Sequence, residues 1–354
     1  MKDLVVVGGG PVGLATAIGA ALAGLDVALV EPREGPLDKA CGEGLMPSAV
    51  AALERLGVHP DGVPFRGIAY LDASAGLAPS AGLDASAGPA CRRAVAPFRA
   101  GPGLGVRRTT LSAALAARAD AVGVQRVPRR AGDLVRVPGG VEVAGVRGRY
   151  LVAADGLHSP IRRRLGLDAP VRGPARYGLR RHYALAPWTD LVEVHWARDA
   201  EAYVTPVAPD VVGVAVLCGG GEPYDAWLAR FPALRERLTR ADPASDVRGA
   251  GRLRQKAVRH VDGNVLLVGD ASGYVDALTG EGISIGLACA REAVRALAAG
   301  RPQDYEAAWW RTTRRYRLLT GCLVRAAHRP VLRASIVPAA QRLPRVFTGI
   351  VNSL

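Results

Sequence analysis

Short runs of apolar residues, each followed by a glycine-rich or acidic turn, dominate the hydrophobic pattern of this chain. Residues 4 to 7 and 27 to 30 are uninterrupted apolar runs, which fit buried parallel strands. Between them, the stretch from Pro11 to Gly24 carries no charge and predicts a helix. This order of strand, helix and strand predicts a βαβ unit and an α/β fold.

Other parts of the chain favour antiparallel strands and further helices. Residues 135 to 150 alternate apolar and polar side chains and predict a hairpin that turns at Gly139-Gly140, and residues 192 to 217 predict three strands. A hexapeptide that occurs at 71–76 and again at 83–88 predicts a surface hairpin. Helical patterns cover 47–56 and 224–239 and dominate after Gly280. The strand-rich block separates segments with nucleotide-type turns, so we expect it to be inserted into the α/β domain.

The turn after the first apolar run has the spacing of a dinucleotide-binding loop. Its three glycines stand where a missing side chain permits a tight turn, approach of a pyrophosphate and close packing of the helix on the strand. The pyrophosphate would lie at the positive end of that helix. Eighteen residues beyond the last glycine, a carboxylate follows the second apolar run, where a ribose hydroxyl needs an acceptor. We therefore predict a dinucleotide site formed by Gly8, Gly10, Pro11, Gly13, Glu31 and Arg33.

Two later strands also end in acidic turns. The run 150–154 is followed by Asp155-Gly156 and by a helix that Ser159 caps, and the run 264–268 is followed by Gly269-Asp270. Small residues allow close approach of a ligand, and the aspartate can accept a hydrogen bond from a sugar hydroxyl. Residues 279–283 then open another helix, whose amino end is suited to an anion.

These motifs together resemble the FAD-dependent oxidoreductases with the p-hydroxybenzoate hydroxylase fold. In that superfamily a GxGxxG turn, a DGxxSxxR segment and a GD segment occur in this order. They are found here as Gly8-x-Gly10-x-x-Gly13, Asp155-Gly156-x-x-Ser159-x-x-Arg162 and Gly269-Asp270. Arg108 matches the family's Arg-x-x-Leu step, in which the arginine contacts the FAD. The resemblance therefore implies FAD as the cofactor.

The resemblance also implies a domain plan. A Rossmann-type FAD-binding domain, with a parallel sheet of βαβ units, would be interrupted by a smaller antiparallel-sheet substrate domain and followed by C-terminal helices. We expect the FAD-binding domain to comprise residues 1–70, 100–170 and 250–304. The strand-rich substrate domain would comprise 71–99 and 171–249, and the helical segment 305–354.

Within the superfamily, residues 39–44 and 280–283 resemble the geranylgeranyl reductase branch more than the aromatic hydroxylases. The match is imperfect, because Asp276-Ala277-Leu278 stands where that branch usually has a proline. The resemblance implies an FAD-dependent oxidoreductase that transfers hydride from reduced flavin to a hydrophobic, isoprenoid- or polyketide-like molecule. An FAD-dependent monooxygenase that hydroxylates an aromatic or polyketide substrate with NAD(P)H and O2 is one alternative. A non-redox, flavin-assisted cyclase or isomerase is another.

The resemblance extends to individual residues. Cys41 would lie near the flavin ring and is a catalytic candidate, although a packing role also explains a small residue there. Glu281 could donate a proton, or could be an ordinary carboxylate at a helix start. Three residues of the strand-rich block would line a substrate pocket or belong to the sheet core: Trp196, Tyr203 and Pro206. The cofactor-binding set is Gly8, Gly10, Pro11, Gly13, Glu31, Arg33, Cys41, Gly42, Arg108, Asp155, Gly156, Gly269, Asp270, Gly280, Gly282 and Ile283.

The charge of the chain is strongly basic and unevenly distributed. The net charge is +14, and residues 301–354 contain ten arginines but only Asp304 and Glu306 as acids. The sequence has no zinc-finger spacing, aromatic RNA-binding motif or basic repeat, so we expect no nucleic-acid partner. The basic C-terminal part also carries apolar and aromatic residues. It predicts either a helical layer on the flavin domain or a peripheral contact with an anionic membrane.

The remaining composition limits the chemistry. The five cysteines are scattered without a CxxC pair, and the six histidines have no ligand spacing, so we expect neither disulfides nor a metal site. The sequence offers no signal peptide or membrane span, so we expect a cytoplasmic protein, with membrane association as the alternative. Because no second GxGxxG occurs, electrons would come from transiently bound NAD(P)H or from a carrier protein.

Overall fold

A computed structural model describes residues 1–73 and 92–353 of the chain. The strands are β1 (Lys2–Val7), β2 (Val27–Val30), β3 (Gly44–Leu45), β4 (Val63–Phe65), β5 (Gly67–Asp72), β6 (Arg93–Pro97), β7 (Gly103–Gly105), β8 (Gln125–Val127), β9 (Leu134–Val137), β10 (Gly140–Val143), β11 (Val146–Ala153), β12 (Tyr177–Ala184), β13 (Val192–Trp196), β14 (Glu201–Ala208), β15 (Val211–Cys218), β16 (Asp242–Pro243), β17 (Arg248–Gly251), β18 (Gln255–Lys256), β19 (Val261–Asp262), β20 (Val265–Leu267) and β21 (Gly273–Tyr274).

The helices alternate with these strands in the first part of the chain and follow one another after β21. They are α1 (Pro11–Leu22), α2 (Pro47–Arg55), α3 (Arg108–Ala121), α4 (Pro160–Arg164), α5 (Tyr224–Leu228), α6 (Pro232–Leu238), α7 (Gly282–Ala298), α8 (Asp304–Ala327), α9 (Pro330–Arg342) and α10 (Pro344–Val351). A short 3-10 helix covers Gly269–Ser272.

The first sheet has a parallel core in the order β20-β11-β1-β2-β8. Its central strands are valine-rich and buried on both faces, as parallel strands covered by helices must be. Helices α1, α3 and α7 pack together on one face. Here Gly286 of α7 allows close contact with α1, because a Cβ at this position would lie only 2.4 Å from Val12 Cγ2. The hairpin of β9 and β10 extends the sheet beside β11.

The second sheet is largely antiparallel and has the order β16-β12-β15-β14-β13-β5-β6. Most of it lies, in sequence, between β11 and β20 of the first sheet, which is the interruption that the sequence predicts. Helices α5 and α6 pack on one face, and the other face turns toward the first sheet and the C-terminal helices. The fold class predicted from the sequence is therefore confirmed.

The exact domain limits stay a prediction. The second sheet begins at Gly67 in β5 and also includes β17, which ends at Gly251, so it uses a few residues on the far side of both expected boundaries. The predicted hexapeptide hairpin lies largely outside the described residues, as does most of the expected segment 71–99.

Buried charges tie helix α9 to the second sheet. The carboxylate of Glu201 on β14 is completely buried, 2.5 Å from Arg176 Nη2 and 2.6 Å from Arg333 Nη1 of α9. Arg176 Nε lies 3.1 Å from Asp276 Oδ2, and Arg333 Nη2 also donates to the Ala200 carbonyl at 2.6 Å. Removing one partner from such a cluster would leave an uncompensated buried charge. Helix α9 is therefore an integral part of the fold.

Candidate functional site

A cavity of about 1370 Å³ lies between the two sheets and the C-terminal helices. Its walls include the turns that follow β1, β2, β11 and β20, the inner face of the second sheet, and parts of α8, α9 and α10. Small-molecule sites usually occupy about 300–1,000 Å³, so this cavity has room for a cofactor and a second molecule. In open α/β sheets, ligands bind at the carboxyl ends of the strands, and one end of the cavity has this position.

Each glycine of the first turn is needed for a different structural reason. Gly8 has a φ of +110°, and a Cβ there would lie 2.3 Å from the Ala154 carbonyl oxygen. A Cβ on Gly13 would lie 1.8 Å from the Gly8 carbonyl oxygen, so this glycine lets α1 pack against the turn from behind the cavity wall. Gly10, by contrast, faces open space, and the atom nearest its Cβ position is Arg108 Nη2 at 3.8 Å.

The amino end of α1 is suited to an anion. Gly10 precedes the helix, no side chain caps it, and its first turn has no acidic residue. The free backbone N–H groups and the helix dipole therefore remain available to a ligand. Arg108, at the start of α3, lines the cavity beside this helix end. A glycine cradle and an arginine at a helix start fit the pyrophosphate of FAD.

Glu31 lines the cavity at the end of β2 and is held as a carboxylate. Its Oε2 accepts the Gly9 N–H at 2.8 Å, and its Oε1 accepts from Arg33 Nε at 2.7 Å. Partial burial opposes ionisation, but the hydrogen bonds from Arg33 and Gly9 outweigh it and lower the pKa of Glu31. An ionised acceptor at this edge of the sheet fits a ribose hydroxyl.

The Asp155 turn lies on the opposite side of the glycine loop. Asp155 Oδ2 accepts the Ile161 N–H at 3.1 Å, whereas Oδ1 is buried without a hydrogen-bond partner among the described residues. Burial raises the pKa of this carboxyl. Arg162 of the same motif is buried and donates to the carbonyls of Ala271 at 3.0 Å and Leu157 at 3.2 Å. It thus ties two cavity loops together rather than facing a ligand.

Lys39 is a cavity residue for which the sequence predicted no separate role. Its Nζ lies 3.6 Å from Asp270 Oδ2 and would be 3.9 Å from a Cβ on Gly156. The ammonium group thus connects the Asp155 and Asp270 turns. Lys39 lies two residues before Cys41, in the 39–44 motif that resembles the geranylgeranyl reductase branch. This position could have indicated a role at the site.

The second predicted helix start is only partly at the cavity. Gly280, Gly282 and Ile283 line it, and Gly280 has a φ of +71°. Glu281 does not line it, because its side chain is buried at the start of α7, where neither carboxylate oxygen has a hydrogen-bond partner among the described residues. Burial raises the pKa of Glu281 to about 8. The structure thus does not bring this catalytic candidate to the ligand space.

The loop from Cys41 to Gly44 does line the cavity. Cys41 is half-buried, and its Sγ accepts the Glu43 N–H at 3.4 Å. Thr205 of β14 donates to the Gly42 carbonyl at 2.8 Å, which fixes this loop against the second sheet. Cys41 is therefore held in the cavity wall, and its proximity to the flavin ring stays a prediction.

Glu43 of the same wall pairs with His182, which is buried behind the cavity lining, and the sequence did not indicate this pair. Glu43 Oε1 accepts the Arg108 N–H at 2.8 Å, and Oε2 lies 2.6 Å from His182 Nε2. His182 Nδ1 lies 3.1 Å from Arg180 Nη1, and a guanidinium can only donate. His182 therefore carries its proton on Nε2 and donates it to Glu43. The pair joins the start of α3 to the second sheet.

Of the three predicted substrate residues, only Tyr203 lines the cavity. Its hydroxyl donates to the Leu278 carbonyl at 2.7 Å. Pro206 lies on the opposite face of β14, because successive side chains of a strand alternate. Trp196 is at the end of β13, where its ring packs 5.3 Å from that of Tyr70. Both are therefore part of the sheet packing and do not line the ligand space.

The other end of the cavity is apolar. The rings of Tyr70 and Phe347 pack at a tilt of 50° with their centroids 4.6 Å apart, and they connect the second sheet to α10. Further apolar side chains complete this wall: Ile68, Leu319, Leu323, Ile336, Leu343, Val346, Ile350 and Val351. No group of three or more His, Cys, Asp or Glu that could hold a metal ion is found in residues 1–73 and 92–353.

Comparison with known families gives the same cofactor. A family model described as FAD binding domain matches residues 1–301. The chain belongs to this family. This flavoprotein is 31% identical, over 343 residues, to a menaquinone reductase of Mycolicibacterium smegmatis (strain ATCC 700084 / mc(2)155), with 87% of this chain and 79% of that protein covered. It is 29% identical, over 316 residues, to a dialkyldecalin synthase of Streptomyces rugosporus, covering 81% and 63%.

The fold comparison agrees with the family. A solved flavoprotein/dehydrogenase from Cytophaga hutchinsonii superposes with a TM-score of 0.78 at 17% identity, covering 99% of this chain and 92% of that chain. Together these findings make the protein an FAD-dependent oxidoreductase. Among the described residues, no helix has the length and apolar character needed to cross a membrane.

Proposed function

We propose that this flavoprotein reduces a hydrophobic small molecule of isoprenoid or polyketide type by hydride transfer. The observation that carries the proposal is the continuity of the cavity, which runs from the glycine turn to an apolar space behind Tyr70 and Phe347. A hydrophobic molecule in that space would share one enclosure with the cofactor. The similarity to proteins named menaquinone reductase supports a substrate of this class.

Different residues around the cavity would bind different parts of the cofactor. The turn around Gly8 and Gly10, the start of α1 and Arg108 would bind the pyrophosphate, and Glu31 would accept from the ribose. The turns with Asp155-Gly156 and Gly269-Asp270, and the start of α7, would bind the remainder of the cofactor. Bound FAD supplies two-electron hydride chemistry. The buried second sheet and the C-terminal helices would exclude water from it.

Cys41 would contact the ligand space directly, so it is the catalytic candidate that the geometry favours. Glu281 has no such contact, and we assign it no step. Electrons would come from transiently bound NAD(P)H or from a carrier protein. An anionic membrane at the C-terminal helices is a further candidate partner, which the exposed arginines of that region support.

The test is anaerobic turnover with a soluble quinone. The purified protein is loaded with FAD, and NADH or NADPH oxidation is followed at constant pH with menadione as the acceptor. We expect reduction of menadione without oxygen, and loss of this turnover in a Gly13→Ala variant assayed without excess FAD, because this variant binds FAD more weakly. Oxidation of NAD(P)H only when oxygen and an aromatic substrate are present would overturn the reductase proposal in favour of a monooxygenase.

A non-redox role is the second candidate, and the similarity to dialkyldecalin synthase favours it. In that case the cavity would fold a polyene around the flavin without net electron transfer. The two candidates differ in one measurement. If an unsaturated substrate were cyclised at the same rate with the flavin oxidised and with no electron donor present, the protein would be a flavin-assisted cyclase.

A further inference from the structure

The apolar end of the cavity opens to the surface between helices α8, α9 and α10. Five residues both line the cavity and are exposed at this opening: Cys322, Ala339, Leu343, Val346 and Ile350. The last three are large apolar side chains with exposed fractions of 56%, 54% and 43%. Val331 and Leu332 at the start of α9 are also exposed but do not line the cavity. We call the five residues that are both exposed and cavity-lining, Cys322, Ala339, Leu343, Val346 and Ile350, the mouth.

Helix α10 shows why the mouth is not simply a loosely packed edge. Its residues Phe347 and Val351 are buried against the second sheet, whereas Val346 and Ile350, one turn apart on the adjoining face, remain outside. Asn352 follows the helix and donates to the Pro97 carbonyl at 2.8 Å, so the helix is held at both its face and its end. The exposed apolar face is therefore presented by an anchored helix.

The exposed charged side chains around the mouth are all positive. Arg325, Arg329, Arg342 and Arg345 are exposed, and none of them forms an ion pair with a residue in the described part of the chain. The sequence has no aspartate or glutamate after Glu306. Unpaired cations beside exposed apolar side chains match a surface that is anionic at its face and apolar beneath. Such contiguous apolar exposure is uncommon on a protein that contacts only water.

We propose that the mouth docks on an anionic lipid bilayer and that the hydrophobic substrate enters the cavity from the bilayer there. Val346 and Ile350 would insert among the lipid chains, and Arg342 and Arg345 would contact the phosphate headgroups. This inference rests on the proposed function for its substrate. The assignment of the mouth as a docking surface rests only on its exposure, its charge and its continuity with the cavity.

The test compares sedimentation with vesicles of phosphatidylcholine alone and of phosphatidylcholine mixed with phosphatidylglycerol. We expect the FAD-loaded protein to pellet with the mixed vesicles and to be released by salt. An arginine near an anionic surface contributes about a fivefold gain in binding, so the double variant R342Q/R345Q should bind roughly 30-fold more weakly. The double variant V346S/I350S should also lose binding. Matched controls on other surfaces are Arg55→Gln on α2 and Val135→Ser on β9, which should leave binding unchanged.

Point variants are used because deletion of α9 and α10 would remove the buried residues Arg333 and Phe347. Every variant should retain its FAD absorbance. Equal binding to the two kinds of vesicle, or no binding to either, would overturn the inference. A dimer in sedimentation velocity that dissociates in the same variants would instead assign the mouth to a second copy of the chain. Anaerobic menadione reduction distinguishes the two proposals, because it tests the reductase activity without a membrane.

Discussion

The two ends of the cavity are built by different physical means. At the cofactor end, glycines bring the backbone close to the ligand space, and backbone N–H groups and fixed charges such as Glu31 and Arg108 supply the contacts. At the mouth, bulky apolar side chains from helices that follow one another in sequence form the wall. The cofactor end is therefore sensitive to the addition of a single carbon atom, whereas the mouth should tolerate changes of shape but not of polarity.

The largest effect is expected at the cofactor end from Gly13→Ala. Its Cβ would lie 1.8 Å from the Gly8 carbonyl oxygen, so either the turn or α1 must move. A clash this close belongs at the upper end of the typical overpacking cost of about 1–3 kcal/mol, and distortion of the binding turn by that free energy would weaken FAD binding roughly 100-fold. Fluorescence titration with FAD measures the loss. Gly349→Ala on α10, where nothing lies within 4 Å of the new Cβ, is the control and should bind FAD normally.

At the apolar end of the cavity, behind the mouth, Phe347→Ala should reduce stability without affecting the cofactor. Removing a buried phenylalanine costs about 3 kcal/mol, here through lost contact with Tyr70. Chemical denaturation measures the change in the free energy of unfolding, and the FAD dissociation constant should stay within a factor of two to three of that of the wild type. A large loss of FAD affinity in this variant would contradict the separation of the two ends.

Arg108→Gln tests whether charge or shape dominates the cofactor end. A hydrogen bond to a charged group contributes about 1.5–3 kcal/mol, so FAD affinity should fall roughly 10- to 100-fold. The dependence of affinity on salt concentration should also become weaker. Arg55→Gln removes an arginine far from the cavity and should change neither quantity. An unaltered affinity in the Arg108 variant would show that the helix start alone binds the pyrophosphate.

Glu281 is buried outside the cavity and should affect stability rather than chemistry. Its folded-state pKa of about 8 is above its ordinary value of 4.5, so the folded protein retains a proton that the unfolded chain releases. The favourable contribution is complete below pH 4.5 and is lost as the pH rises through about 8. Glu281→Gln should thus stabilise the protein increasingly as the pH rises from 4.5 to about 8, and leave stability at pH 4 nearly unchanged. Thermal unfolding across this pH range checks the slope.

The smallest effect is expected where the two ends meet. Tyr203→Phe removes the hydrogen bond to the Leu278 carbonyl and should cost about 1 kcal/mol of stability. Because the ring stays, the apolar lining is preserved. Urea denaturation gives the stability, and menadione turnover should remain within twofold of the wild-type value. A much larger loss of turnover would make the Tyr203 hydroxyl part of the substrate site.

The fold class and the cofactor could be predicted from the sequence because their determinants are local. The spacing of Gly8, Gly10 and Gly13, the following helix and the position of Glu31 all lie within one βαβ unit. The family match confirms the cofactor, and the sheet order confirms the fold class. The assignment of individual residues to the cofactor stays a prediction.

The parts that the sequence did not indicate depend on contacts between distant segments. Glu43 and His182 are 139 residues apart, and no local pattern connects them. For Trp196 and Pro206, residue type suggested a pocket, but strand alternation and the packing of Tyr70 decide which side chains face it. The same applies to Glu281, whose helix start is at the cavity while its side chain points into the protein.

The connection of α9 to Glu201 has a consequence for the order of synthesis. The first wall of the cavity, at residues 7–13, leaves the ribosome early, but the wall formed by residues 336–351 is separated from it by most of the sequence. The buried carboxylate on β14 has its partner Arg333 only after α9 has been made. Until then Glu201 has only one of its two arginine partners, Arg176, and the flavin pocket gains its second wall only when translation has passed α10.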